Sequence, residues 1–207
     1  MCSSDLGSQD KKDKMLRKLV FATNNKNKIK EVSEIVGHKF DIVCLDELGC
    51  HDDIAETGTT LEENALIKAR YINQKYGVDC FSDDTGLEVD ALNGEPGVHS
   101  ARYAGEDKNS EANIDKLLAN LDGKSNRNAR FRTVVALIIN GEEHVFEGKV
   151  EGRITESRHG NGGFGYDPVF VPEDKDKTFA ELSAEDKNSI SHRGRAIKKL
   201  SDYLNSL

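Results

Sequence analysis

The sequence predicts an α/β protein. Short apolar runs of strand length recur along it, and stretches with apolar residues at helical spacing lie between them. The chain also begins in the order strand, polar loop, helix, strand, which is the grammar of that class.

"KLVFAT" (Lys18–Thr23) reads as a buried strand. After the polar "NNKNK", Ile29, Val32, Ile35 and Val36 form one helical stripe, and Gly37 closes that helix. "FDIVCL" (Phe40–Leu45) is the second strand. Thr60 followed three residues later by Glu63 makes a capping box. It opens a long helix in which Leu61, Ala65, Ala69, Ile72 and Tyr76 share a face. "VDCFSDD" reads as a strand leaving that helix, and "GLEVDAL" alternates apolar and polar as a strand with one wet side. Gly94, Pro96 and Gly97 mark a loop. Ile114, Leu117, Leu118 and Leu121 give another helix, and "VVALIIN" (Val134–Asn140) a strongly apolar strand. Asn140-Gly141 is a two-residue hairpin turn into "EEHVFEGKVEGRI". The last helix carries Ile197, Leu200 and Leu204.

At 207 residues the chain is long enough for a sizeable core. Its net charge of −8 disfavours a groove that tracks nucleic acid, whereas a small anion needs only a local cluster of basic residues. Cys2, Cys44, Cys50 and Cys80 have no C-x-x-C spacing, so a reducing cytoplasm is expected, without zinc or a disulfide framework. No run is long and apolar enough to span a membrane, and the N-terminus lacks the apolar centre of a signal peptide. Residues 1 to 14 read as a disordered extension.

Four polar stretches bear chemistry. "TNNKNK" (Thr23–Lys28) would point loop amides and a helix N-terminus at an anion, or serve as a helix cap with solvated lysines. Glu56, Glu62, Glu63, Asp83 and Asp84 form an acidic set. Such carboxylates suit Mg²⁺ with waters and substrate phosphates, or else a solvated turn; the capping box explains Glu62 and Glu63 better than a metal does. "HGNGGFGYDP" (His159–Pro168) places Phe164 and Tyr166 among four glycines, a loop suited to stacking a planar base. In "DKNSISHRGRAIKKL", Lys187, His192 and Arg193 precede the final apolar stripe. Cations oppose the helix dipole at an N-terminus, which favours an anionic partner.

"FATNNKNKIKEV", "SDDTGLEVDALNGEPGVHSARYAG", "GGFGYDPVFVP" and "KTFAELSAEDKNSISHRGRAI", in this order, resemble the inosine/xanthosine triphosphate pyrophosphatase family, the house-cleaning purine nucleoside triphosphatases. The resemblance spans about residues 18 to 205. It implies one domain over residues 15 to 207, with a long mixed central β-sheet flanked by helices and a cleft between two lobes. It implies Mg²⁺-dependent hydrolysis of ITP, dITP or XTP at the α-phosphorus, by a cytoplasmic homodimer. Thr23, Asn24, Asn25, Lys26, Asn27 and Lys28 match the triphosphate loop. Asp84 matches the catalytic proton acceptor and metal ligand, and Glu56 the second ligand, although Ala55 stands where some relatives carry another acid. Thr85 replaces the serine of "DDSGL", and His99 stands where many relatives have tyrosine. Phe164, Gly165, Tyr166 and Asp167 match the base loop, completed by Lys187, His192 and Arg193. A non-enzymatic nucleotide-binding regulator, or a pyrophosphatase of other base preference, would share the same pocket.

Overall fold

The computed structural model describes residues 16–207; the extension expected at residues 1 to 14 lies outside the described residues. The α/β expectation holds. Strands β1 (Arg17–Phe21), β2 (Phe40–Val43), β3 (Cys80–Val89), β4 (Pro96–Gly97), β5 (Asn128–Ile139), β6 (Glu142–Ile154) and β7 (Phe170–Pro172) form one mixed sheet. Its order is β2-β1-β3-β5-β6-β7, with β4 paired to β3. The first three strands are parallel and the rest antiparallel.

Helices α1 (Lys26–Val36) and α6 (His192–Ser206) cover one face of this sheet. Val32, Val36, Ile197 and Leu200 pack there on Phe21, Phe81, Val135 and Leu137. Helix α3 (Leu61–Tyr76) covers the other face, where Leu61, Ala65, Ala69 and Ile72 meet Val20, Cys80, Val134 and Ala136. A third core, around Leu87, Phe131 and Phe170, lies beneath α4 (Ser110–Asn120). Each fully buried side chain of this size is worth roughly 1.5–3 kcal/mol relative to exposure.

The expected elements are present, with shifted boundaries. The two strands read around residues 78 to 92 are the single strand β3, and Asp90–Leu92 is a 3-10 turn. The second strand stops at Val43, because Leu45–Leu48 forms a helical turn, α2, closed by Gly49 at φ +79°. The apolar strand begins at Asn128 rather than Val134; its polar start is held by Arg130 and Arg132, which pair across the sheet with Glu151 and Glu147. Helix α1 starts at Lys26, inside the stretch read as a loop. The Asn140-Gly141 turn has positive φ at both residues, as a type I′ hairpin requires. Periodicity did not show β4, β7 or the short α5 (Ala184–Ile190), which offer too few residues for a period.

Candidate active site

The site lies where the sheet is incomplete. Along one edge of β3, pairing to β1 ends at Phe21↔Phe81, and pairing to β4 begins at Leu87↔Gly97. Between them, Asp83 to Gly86 keep β5 on the other edge only. The strand order places this gap beside the carboxyl end of β1, where the chain turned outward to β2 before returning as β3. Such switch points hold ligands in open α/β sheets. A cavity of about 420 Å³ opens there.

Side chains alternate faces along a strand, so the adjacent aspartates point to opposite sides of the sheet. Asp83 faces α1 and α6. It is 3% exposed, accepts from Lys28 Nζ at 3.1 and 3.2 Å, and pairs with Arg193 Nε at 3.3 Å. Burial alone would raise its carboxyl, but Lys28, Arg193 and Lys68 outweigh that and hold it well below the usual carboxylate range. Arg193 reaches it because α6 begins hard against β6. A Cβ on Gly148 would sit 2.1 Å from the His192 carbonyl oxygen, so only glycine allows the approach.

Asp84 faces α3. Its Oδ1 accepts from Thr85 N at 3.1 Å, while its Oδ2 is buried with no hydrogen-bond partner among the described residues. Burial pushes its carboxyl up to about 6; Glu56 and Asp83 add to this, against the pull of Lys68 and Asn64. Lys68 projects from α3 into the same space. Its Nζ donates to the Asp83 carbonyl at 2.5 Å, a group left free by the sheet gap, and pairs with Glu56 at 3.1 Å. Burial would lower the Lys68 ammonium, but Asp83, Glu56 and Asp84 together raise it. The result is a cation between two acids, one of which keeps an unsatisfied buried oxygen.

At the other end of the cavity, Phe164 is 60% exposed. Lys187 Nζ lies 4.5 Å from its ring centroid and pairs with Asp167 Oδ2 at 2.5 Å. The same oxygen accepts from Phe164 N at 3.0 Å. This tight loop needs Gly163, at φ +69°, where a Cβ would lie 2.1 Å from Asp167 Oδ2. Tyr166 donates to the Ser100 carbonyl at 2.6 Å. His192 stacks on Phe131 at 4.8 Å, and its buried Nδ1 has no partner among the described residues. Burial, then Arg193 and Lys187, keep its imidazole neutral, well below its ordinary range. The cations expected to oppose the α6 dipole are thus a neutral histidine and an arginine paired internally with Asp83.

The cavity gathers Lys28, Glu56, Asp84, Thr85, Phe164, Gly165, Tyr166, Asp167, Lys187, His192 and Arg193. Thr23, Asn24, Asn25 and Lys26 lie outside its lining. Thr23 Oγ1 accepts from Asn25 N, Asn25 Oδ1 from Lys28 N, and Asn24 Oδ1 from Asp46 N at 2.8 Å, so this stretch orders the entry to α1 and α2. The side chain of Asn27 lies outside the described residues. Glu62 is exposed, and Thr60 Oγ1 accepts from Glu63 N at 3.1 Å, as the capping box implied, while Glu63 Oε2 accepts from Thr59 N. Sequence reasoning missed Lys68 and Asn64. The signal was there: both fall on the helix face that carries Leu61, Ala65 and Ala69, where a lysine or an amide needs a partner.

Among the described residues, no three His, Cys, Asp or Glu side chains form a ready metal cage, and no helix is long and apolar enough to cross a membrane. The Ham1 family model matches residues 19–203. A Flavobacterium johnsoniae protein named dITP/XTP pyrophosphatase is 56% identical over 187 residues, 90% of this chain and 97% of the relative. A Bacillus subtilis protein of the same name is 48% identical, over 92% of this chain and 98% of the relative. The solved Ham1 protein of Staphylococcus aureus superposes with TM-score 0.88 at 43% identity, covering 92% of this chain and 99% of that one. With a family model spanning nearly the whole chain and relatives of this identity, the chain belongs to the Ham1 family.

Proposed function

We propose that the chain hydrolyses the non-standard purine nucleoside triphosphates ITP, dITP and XTP to the nucleoside monophosphate and pyrophosphate. The observation that carries this is the Asp84 carboxylate, with one oxygen buried and unpartnered, beside Glu56 and Lys68, in one cavity with Lys28 and Phe164. Two carboxylates with an unsatisfied oxygen fit a hard cation that draws its other ligands from water and phosphate, so Glu56 and Asp84 would hold Mg²⁺. When bound, the ion shields phosphate charge and acidifies water.

The chain's own groups divide the remaining work. Asp84 accepts the proton of the attacking water, the role of a positioned general base. Lys68 fixes the two acids, and Lys28 neutralises charge on the departing pyrophosphate. Phe164 offers a face to the purine, and Lys187 and Arg193 are donors for a keto oxygen at C6. Adenine, with an amino group there, leaves those donors unpaired. The same reading takes the enzyme as a cytoplasmic homodimer with the nucleotide between two lobes; the net charge of −8 supports a small-molecule substrate over nucleic acid.

Release of pyrophosphate from ITP with Mg²⁺ tests the proposal. Nucleotide binding without product would make the protein a regulator, and a panel of ITP, XTP, dUTP and GTP fixes the base preference. Lys68→Met is expected to lower kcat about a hundredfold with a smaller change in KM, because it removes charge compensation at the reacting end. Lys187→Ala is expected to raise KM about tenfold with kcat nearly kept, in line with a lost hydrogen bond to a charged donor. Steady-state kinetics on ITP separates the two patterns; a fall in kcat alone for Lys187→Ala would remove it from the base pocket.

A further inference from the structure

We infer that the base pocket takes xanthine as its anion, with Arg102 and Lys108 as residues that set this specificity. The inference rests on the pyrophosphatase reading and concerns the wall of the cavity that the reading leaves unused. That wall is the segment from Ser100 to Ser110, and it is fastened to the base loop on both sides. Tyr166 bonds the Ser100 carbonyl, while Arg158, from the start of the glycine-rich stretch, donates to the Glu111 carbonyl at 3.0 Å and pairs with Asp115 at 2.8 Å. Arg102, Lys108 and Ser110 therefore line the same cavity as Phe164.

The charges around the base end do not balance. From α5, Lys187 is matched by Asp167 of the base loop; from α6, Arg193 is matched by Asp83 of β3, and His192 is neutral. Lys68 is matched by Glu56 beside Asp84, Lys28 shares Asp83 with Arg193, and Glu31 on α1 also lines the cavity. Arg102 has only Glu106, at 3.6 Å and 86% exposed, and Lys108 makes no ion pair among the described residues. Two cations thus face the pocket with little to offset them.

Hypoxanthine gives these cations nothing to neutralise, being a neutral base with one carbonyl. Xanthine carries carbonyls at C2 and C6 and loses a ring proton below neutral pH, which spreads a full negative charge over the ring. A cationic wall selects that form by Coulomb attraction, moderated here by solvent.

The test is the ratio of kcat/KM for XTP to kcat/KM for ITP, followed from about pH 5 to about pH 8, where a group of near-neutral pKa changes charge. Titrations of the enzyme and the triphosphate act on both substrates and cancel in the ratio. The ratio is expected to rise about fivefold, the size of an exposed ion pair. In the double variant Arg102→Gln, Lys108→Gln the rise is expected to flatten, with turnover of ITP reporting that the variant folds. A flat or falling ratio in the unaltered protein, with both substrates turned over, overturns the inference and leaves the pyrophosphatase reading standing. An undiminished rise in the double variant overturns the assignment to these two residues. Turnover of neither substrate overturns both.

Discussion

Asp84→Asn is expected to cost about a thousandfold or more in turnover of ITP, the range for loss of a positioned general base, and to make the fold more stable. The stability effect follows from the displacement of its carboxyl from 3.8 to about 6, which corresponds to about 3 kcal/mol. Its sign is set by linkage. A carboxyl whose folded pKa is raised favours the folded state while protonated, and that stability is lost as pH rises from about 4 through about 6. At neutral pH the ionised Asp84 therefore burdens the fold, and the amide relieves it. Urea unfolding in a metal-chelating buffer checks this: the variant is expected to exceed the parent at neutral pH and to match it below about pH 4. Equal stability at neutral pH would mean that Asp84 is solvated, and unchanged turnover would remove it from the mechanism.

Asp83→Asn is expected to do the reverse to the fold. It leaves Lys28 and Arg193 together without their shared anion, and breaking a buried ion pair on one side costs about 3–5 kcal/mol. The pH dependence is also opposite. Asp83 has its folded pKa depressed, so its stabilisation is present above the ordinary carboxylate range and lost as pH falls below it. Acid unfolding of the parent is expected to contain this loss, and that of the variant to lack it. A variant of unchanged stability would show that the cations are held by solvent rather than by Asp83. The two neighbours thus separate the site's roles: one acid organises the cations, and the other remains available for chemistry.

That division was partly legible in the chain. The strand-like run "VDCFSDD" was legible, but the acidic set grouped Asp83 with Asp84; the two-residue period of a strand puts them on opposite faces, so they do not grip one ion as a pair. Which face each received depended on where α1, α3 and α6 pack, and that is set by long-range contacts. The sheet gap was not legible at all, because it depends on which strands pair and where β1 and β4 stop. Helices α1, α3, α4 and α6 were readable because each carries several turns of one apolar stripe. Lys68 and Asn64 interrupt the same stripe, and the apolar residues around them still read as a buried helix face, so the polar pair was overlooked. The motif residues from Lys28 to Arg193, read through resemblance, line one cavity, and Thr23 to Asn25 hold the chain entry to α1 and α2 beside it. The polar wall at Arg102 and Lys108 left no trace in periodicity, since short turns have none.

In the proposed reaction, water deprotonated at Asp84 attacks the α-phosphorus. Hydrolysis of ITP in heavy-oxygen water with Mg²⁺, followed by mass spectrometry of both products, locates the bond that breaks. The expected result is one heavy oxygen in the inosine monophosphate and none in the pyrophosphate. Label in the pyrophosphate, or products consisting of the diphosphate and orthophosphate, would contradict it.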